Sequence, residues 1–266
     1  MELTINNAPV YIATGGKEFD PELPTVLFLH GSGGDHRTWA LQTRWFAYHG
    51  YSVLAPDLPG HSLSGGEAFK TIEESGHWLA SFLDAAGVKS AHIVGHSQGF
   101  LSALAFAENN SDKILSFAAI ATAAAIPVNQ ALIDTAKDSA AKAAHMMCNW
   151  GFGPQAHMGI SSVPGMQPIA ISRAIMSRNP LAHDLQACAD YMAGGKIAQS
   201  LNMPRHCILA SADKMTPLKS GKALAADMGV TPTIINDAGH MLPLEAPKRT
   251  LAALRSFIET VQRENP

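Results

Sequence analysis

Ile93-Val94-Gly95-His96-Ser97-Gln98-Gly99-Phe100 is entered from a short β-branched run beginning at Ala91 and left through the small-residue run 101–107. The pattern is G-x-S-x-G between a strand and a helix. A serine at so sharp a turn sits in strained backbone, and glycine two residues before and after it leaves room for strand and helix to close in. Ser97 would then stand above the end of a sheet. The amide N–H groups that follow it, and the positive end of the helix dipole, would lie beside any developing oxyanion. The pentapeptide alone is weak, because at ordinary glycine and serine frequencies it arises by chance in roughly one chain of this length in ten. The flanking sequence has to supply its partners.

To either side, continuous apolar runs alternate with amphipathic ones. Thr25-Val26-Leu27-Phe28-Leu29 and Ser52-Val53-Leu54-Ala55 predict strands covered on both faces, separated by a helix through Trp39, Leu41, Trp45 and Phe46. Ile72, Leu79, Phe82, Leu83 and Ala86 form the stripe of a further helix, closed by Gly87. Residues 114–120, 205–210 and 233–235 predict later strands, and a last helix opens at Pro247 and carries Leu251, Leu254, Ile258 and Val261. Such alternation predicts an α/β fold with a doubly wound, mostly parallel sheet. Residues 3–14 alternate apolar and polar around Asn6-Asn7-Ala8-Pro9, as an antiparallel hairpin at the sheet edge would. At Ile126-Pro127 the alternation stops. Residues 128–147 predict one helix, a Gly- and Pro-rich loop runs to Pro168, and helical pieces follow near 169–178 and 181–192. The expected organisation is a core of residues 1–126 and 201–266 with residues 127–200 inserted as a helical cap over the strand ends.

Composition narrows the function. With 266 residues, 47% apolar and only 15% charged, the chain can bury a large core. A net charge of −3 gives no footprint for nucleic acid or an anionic membrane. No long uninterrupted apolar stretch predicts a membrane span, and the first residues lack the pattern of a signal peptide, so the expected setting is cytoplasmic. Cys148, Cys188 and Cys207 are spaced for neither a CxxC pair nor a zinc site and are expected to be reduced and structural, with no metal and no cofactor.

Every chemically suggestive residue of the sheet region follows an apolar strand run, where an open α/β sheet keeps its site. The order Ser97, Asp213, His240 offers a nucleophile, an orienting carboxylate and an imidazole base. Taken with His30-Gly31-Ser32-Gly33-Gly34, Asp57-Leu58-Pro59-Gly60-His61-Ser62, Pro217 four residues after Asp213, and Gly239-His240 followed by Pro243 and Glu245-Ala246-Pro247, the chain resembles the α/β-hydrolase superfamily, in particular a serine-nucleophile member with a helical cap. The likeness covers nearly the whole length. It implies the α/β-hydrolase fold, Ser97 as nucleophile, His240 as base then acid, Asp213 as its orienter, and an oxyanion hole from the N–H groups of Ser32 and Gln98. Asp213 could instead only cap the helix that follows it.

Within the cap, His145, Met146, Trp150 and Phe152 combine soft bulk with polar groups and are candidates for a substrate pocket, although such residues also serve to bury a cap on its core. Arg173 and Arg178 are expected at the surface, and His30, Asp57 and His61 in loop packing. The leading expectation is a serine esterase acting on a small-molecule ester or related acyl substrate. The alternatives are a carbon–carbon bond hydrolase of a dienoic ring-cleavage product and a ligand receptor that retains the triad. A homo-oligomer is compatible with either.

Overall fold

The computed structural model describes residues 1–264. Strands β1 (Glu2–Ile5) and β2 (Ala8–Ala13) form the antiparallel edge hairpin, turning through Asn6 and Asn7 at φ 51° and 63°. Asparagine is among the few L-residues that take this conformation readily. There follow β3 (Thr25–Leu29), α1 (Ala40–Ala47), β4 (Ser52–Pro56), α2 (Ile72–Ala85), β5 (Ala91–His96), α3 (Gln98–Asn110) and β6 (Ile114–Ile120). Six helices then intervene: α4 (Gln130–Asp138), α5 (Ala140–Gly151), α6 (Pro154–His157), α7 (Pro168–Met176), α8 (Leu181–Asp190) and α9 (Gly194–Ser200). The chain closes with β7 (Arg205–Ala210), α10 (Leu218–Asp227), β8 (Thr233–Ile235), α11 (Leu242–Glu245) and α12 (Pro247–Glu264).

The sheet order is β1-β2-β4-β3-β5-β6-β7-β8, parallel from β4 onward to β8. From β3 the chain crosses to β4 on one side and then to β5 on the other. The carboxyl ends of β3 and β5 therefore flank the switch point where an open α/β sheet leaves a crevice. Alternation within each strand feeds two cores. Leu27, Leu29 and Ile93 pack with Phe82, Phe100 and Phe106 on the α2/α3 face, whereas Val26, Phe28 and Val94 pack with Trp39, Phe46, Leu254 and Ile258 on the α1/α12 face. Burial on both faces is what makes these strands read as unbroken apolar runs.

The region between β6 and β7 is helical throughout its regular structure, but its segmentation differs from the sequence expectation. The single helix expected over 128–147 is broken at Ser139, whose backbone is extended (φ −159°, ψ 101°). Its N–H ends α4 on the Thr135 carbonyl and its hydroxyl accepts from the Lys142 N–H to start α5, the ordinary use of serine at a helix start. The short α6, opened by Pro154, lies inside the expected loop. Two glycines disguise the start of α9, which packs Ile197 and Ala198 between α3 and α10. Leu132, Ile133, Met147, Phe152, Met176 and Leu181 gather into a small core of the cap itself.

The two glycines of the Ser97 turn have a steric reason. A Cβ on Gly95 would lie 2.5 Å from the Phe100 N and Cα, and one on Gly99 would meet the Leu29 carbonyl oxygen and come within 2.6 Å of that of His30. These neighbours are backbone and cannot rotate away. Gly99→Ala should therefore behave as a core overpacking, costing about 3 kcal/mol and lowering the melting temperature by about 6–12 °C. A melt within 2 °C of wild type would show that α3 can slide away from β3.

Candidate active site

Ser97 occupies the turn between β5 and α3 at φ 53°, ψ −123°, a conformation that costs an L-residue about 1–3 kcal/mol. Neighbours hold it there. The Ser97 N–H donates to the Ile120 carbonyl at 3.0 Å, and its carbonyl accepts the Thr122 hydroxyl at 2.9 Å, so the end of β6 braces the turn. Behind it, His96 donates from Nε2 to the His240 carbonyl at 2.9 Å. Burial, then the neighbouring His240, push the His96 imidazole down to about 3, which keeps it neutral.

His240 follows β8 on the loop that leads to α11, and Asp213 follows β7. Asp213 Oδ2 lies 2.9 Å from His240 Nδ1. The same carboxylate accepts the Met215 and Thr216 N–H groups at 2.8 Å and the Thr216 hydroxyl at 2.7 Å. Burial alone would raise the Asp213 pKa, but His240 and the Thr216 donors outweigh it and hold the carboxyl below its usual range. An ionised carboxylate only accepts, so the proton of neutral His240 belongs on Nδ1 and Nε2 is left with its lone pair. Glu245 fixes the loop from the other side. Its carboxylate accepts Gly239 N–H at 2.9 Å and Gly153 N–H at 2.8 Å, tying the histidine loop to the start of α6.

The loop 30–34 after β3 brings Gly31 and Ser32 to the same cavity wall as Ser97 and His240. The Ser32 hydroxyl lies 3.6 Å from the Cys188 thiol of α8. The cap clamps this loop through two residues that the sequence reading did not single out. Asn179 donates to the Gly33 and Gly34 carbonyls (2.9 and 2.7 Å) and accepts the Ser62 N–H at 2.9 Å. Asp184, in α8 and 3% exposed, accepts from the Gly33 N–H at 2.6 Å, from His61 Nε2 at 2.9 Å and from Gln98 Nε2 at 3.5 Å.

The other nitrogen of His61, Nδ1, lies 3.0 Å from the Pro59 carbonyl. Both ring nitrogens thus face groups that only accept, so His61 is an imidazolium paired with Asp184. Burial would lower the His61 pKa and raise that of Asp184, but the mutual attraction and hydrogen bonds reverse both directions. His30 by contrast accepts the Leu58 N–H on Nε2 and stays neutral, burial and the His61 charge both lowering its pKa. His30 and His61 are loop-packing residues, as expected, and so is Asp57, which accepts from His36 and from the Leu63 N–H.

Between cap and sheet lies a cavity of about 230 Å³ whose wall includes Ser97, His240, Ser32 and His96. Of the pocket candidates in the cap, Trp150 lines it. His145 and Met146 instead face a groove on the outer surface between α5 and α7, where Arg173 donates to His145 Nδ1 at 2.9 Å, and Phe152 is buried in the cap core. Ile126, Val128, Leu132, Met147, Ile175, Met176 and Leu185 form much of its apolar wall, and Thr38, Asn129 and Ser172 are polar residues on it. Lys214 alone brings a fixed charge to the described wall, and it is exposed. Arg173 and Arg178 are exposed and absent from this wall. The three cysteines are free and buried, and burial pushes each thiol up to about 12, out of reach of nucleophilic chemistry. Among the described residues no helix is long and apolar enough to cross a membrane.

A family profile described as "Alpha/beta hydrolase family" matches residues 26–254. The chain is 24% identical over 244 residues to 3-oxoadipate enol-lactonase 1 of Acinetobacter baylyi, covering 90% of each protein. A shorter stretch of 97 residues is 39% identical to the dihydrolipoyllysine-residue acetyltransferase component of the acetoin cleaving system of Cupriavidus necator, covering 36% of this chain and 26% of that protein. Over 95 residues it is 37% identical to 2-hydroxy-6-oxononadienedioate/2-hydroxy-6-oxononatrienedioate hydrolase 1 of Dechloromonas aromatica, 34% of this chain and 33% of that one. The chain thus spans about a quarter to a third of these last two relatives. In three dimensions the enol-lactonase from Burkholderia xenovorans LB400 superposes with a TM-score of 0.83 at 20% identity, over 97% of this chain and 100% of that one, a likeness of fold.

Proposed function

The chain belongs to the alpha/beta hydrolase family, and from that membership we propose that Ser97, His240 and Asp213 hydrolyse a small, uncharged carbonyl substrate through an acyl-enzyme. The observation that carries this reading is the Asp213–His240 contact at 2.9 Å, which puts the proton on Nδ1 and leaves Nε2 free to accept beside the cavity that Ser97 also lines. Ser97 Oγ attacks the carbonyl carbon while His240 takes its proton, and the charge on the oxygen is met by the Ser32 and Gln98 N–H groups. His240 then gives the proton to the leaving group. Water, deprotonated by His240, cleaves the acyl-enzyme and frees Ser97. The helices over residues 127–200 act as the cap that selects what reaches Ser97.

Two kinds of bond fit the triad. The relatives named for a lactone and for ring-cleavage dioates support an enol-lactone or a carbon–carbon bond more than a simple ester. The dioates in those names carry two carboxylates, whereas the cavity wall here offers only the exposed Lys214 as a fixed cation, and this is why the substrate is read as uncharged. A fluorophosphonate should label one site per chain, at Ser97, as read by intact mass and peptide mapping. A panel of aryl esters, lactones and coloured dienone ring-cleavage compounds then identifies the bond. Failure to label Ser97 together with no turnover across the panel would overturn the reading in favour of a ligand receptor.

A further inference from the structure

We propose that Ser172 is a specificity-determining residue whose hydroxyl donates to a single oxygen acceptor, an oxo or ether oxygen, on an otherwise apolar acyl group. The proposal rests on the hydrolase reading above and deepens it by naming the substrate class.

Ser172 lies in α7 and is 1% exposed, yet its Oγ has no hydrogen-bond partner among the described residues. Several helical hydroxyls elsewhere in this chain return to their own turn. Ser177 donates to the Ala174 carbonyl, Ser75 to Ile72, Thr135 to Ala131 and Thr43 to Trp39. Ser172 makes no such bond, although an unpaired buried hydroxyl is costly. Among the described residues three other buried polar atoms lack partners, those of Trp39, Gln42 and Tyr191, but none of these residues lines the cavity that Ser97 faces, and Ser172 does.

The setting defines the ligand. Ser172, Ile175 and Met176 share one face of α7 at i, i+3 and i+4 spacing, and all three line that cavity. Leu132, Met147 and Leu185 supply more of the same wall. A carboxylate would need a buried cation here, and the lining has none. A plain hydrocarbon chain would leave the hydroxyl desolvated and unpaired. A neutral acyl group with one acceptor oxygen satisfies both conditions, and a volume of about 230 Å³ keeps it short.

The test compares wild type and Ser172→Ala on p-nitrophenyl esters of a short straight acyl chain and of isosteric chains with one oxo or ether oxygen moved along them. Wild type is expected to prefer one oxygenated isomer over the plain chain by about 10- to 100-fold in kcat/KM, the order of one hydrogen bond to a buried neutral donor. In Ser172→Ala the preference should collapse toward unity from both sides, the oxygenated ester slowing and the plain ester quickening. The free variant should also melt higher than wild type, since the desolvated hydroxyl is gone. Esters turned over with no preference at any position, or a preference that survives Ser172→Ala, would overturn this role while leaving the hydrolase reading intact. If no ester is turned over and Ser97 resists the fluorophosphonate, the hydrolase reading falls and this role with it.

Discussion

Ser97→Ala is expected to lower kcat on whichever ester or lactone proves active by about 10⁵- to 10⁶-fold, because it removes the nucleophile that His240 serves. The three thiols are buried with pKa values near 12, and the Thr216 hydroxyl is already given to Asp213. Alanine keeps the Cβ and therefore the backbone strain, so its melting temperature should stay near that of wild type. Ser97→Gly separates the two properties. It should be equally inactive, yet glycine adopts φ 53°, ψ −123° at little cost, so the variant should gain about 1 kcal/mol and melt about 2–4 °C higher. Residual activity within tenfold of wild type in Ser97→Ala would remove Ser97 from the mechanism. An unchanged melt in Ser97→Gly would mean that Thr122 and the Ile120 carbonyl hold the turn without stored strain.

The legible parts of this site are those whose signal is local. Ser97, Asp213 and His240 each stand just past an apolar strand run, and the glycines around Ser97 mark close backbone approach within a few residues of sequence. The same holds for the loop after β3. What could not be read depends on partners far along the chain. Gly33 and Asp184 meet across 151 positions, and Asp184 sits in an ordinary amphipathic helix where a lone aspartate reads as solvated. Ser172 was silent for the same reason, since its meaning lies in a bond it does not make. His145, Met146 and Phe152 share the composition of a pocket wall but not the position that helix phase gives its lining. The inward face of α5 passes through Met147 and Trp150, three residues apart, and that spacing turns His145 and Met146 to the outer groove. The break at Ser139, which resets the phase of α5 relative to α4, was hidden inside one continuous apolar pattern.

Asp184→Ala should be the most damaging change outside the triad, and it is expected to act on stability and on turnover. Removing the carboxylate strands the His61 imidazolium and the Gly33 N–H in the interior. Breaking one half of a buried pair in this way costs about 3–5 kcal/mol, equivalent to a fall of about 6–20 °C in melting temperature. The loop it releases carries the Ser32 N–H, so kcat/KM should fall by about 10²-fold as for loss of one oxyanion donor, with kcat taking most of the loss. Asp184→Asn keeps an acceptor for Gly33 but no charge for His61, and it exposes the pair through pH. The lowered carboxyl pKa contributes stability that is present above the ordinary carboxylate value and lost as pH falls through the folded value. The raised His61 pKa contributes stability that is present below the ordinary imidazole value and lost as pH rises through the folded one. Wild type should therefore exceed Asp184→Asn most between about pH 4 and 6.5, and the gap should narrow on the alkaline side as His61 gives up its proton. A gap that stays constant from pH 5 to 9 in denaturant titrations would mean that His61 is neutral, and that the cap is held to the loop by the Gly33 and Asn179 hydrogen bonds alone.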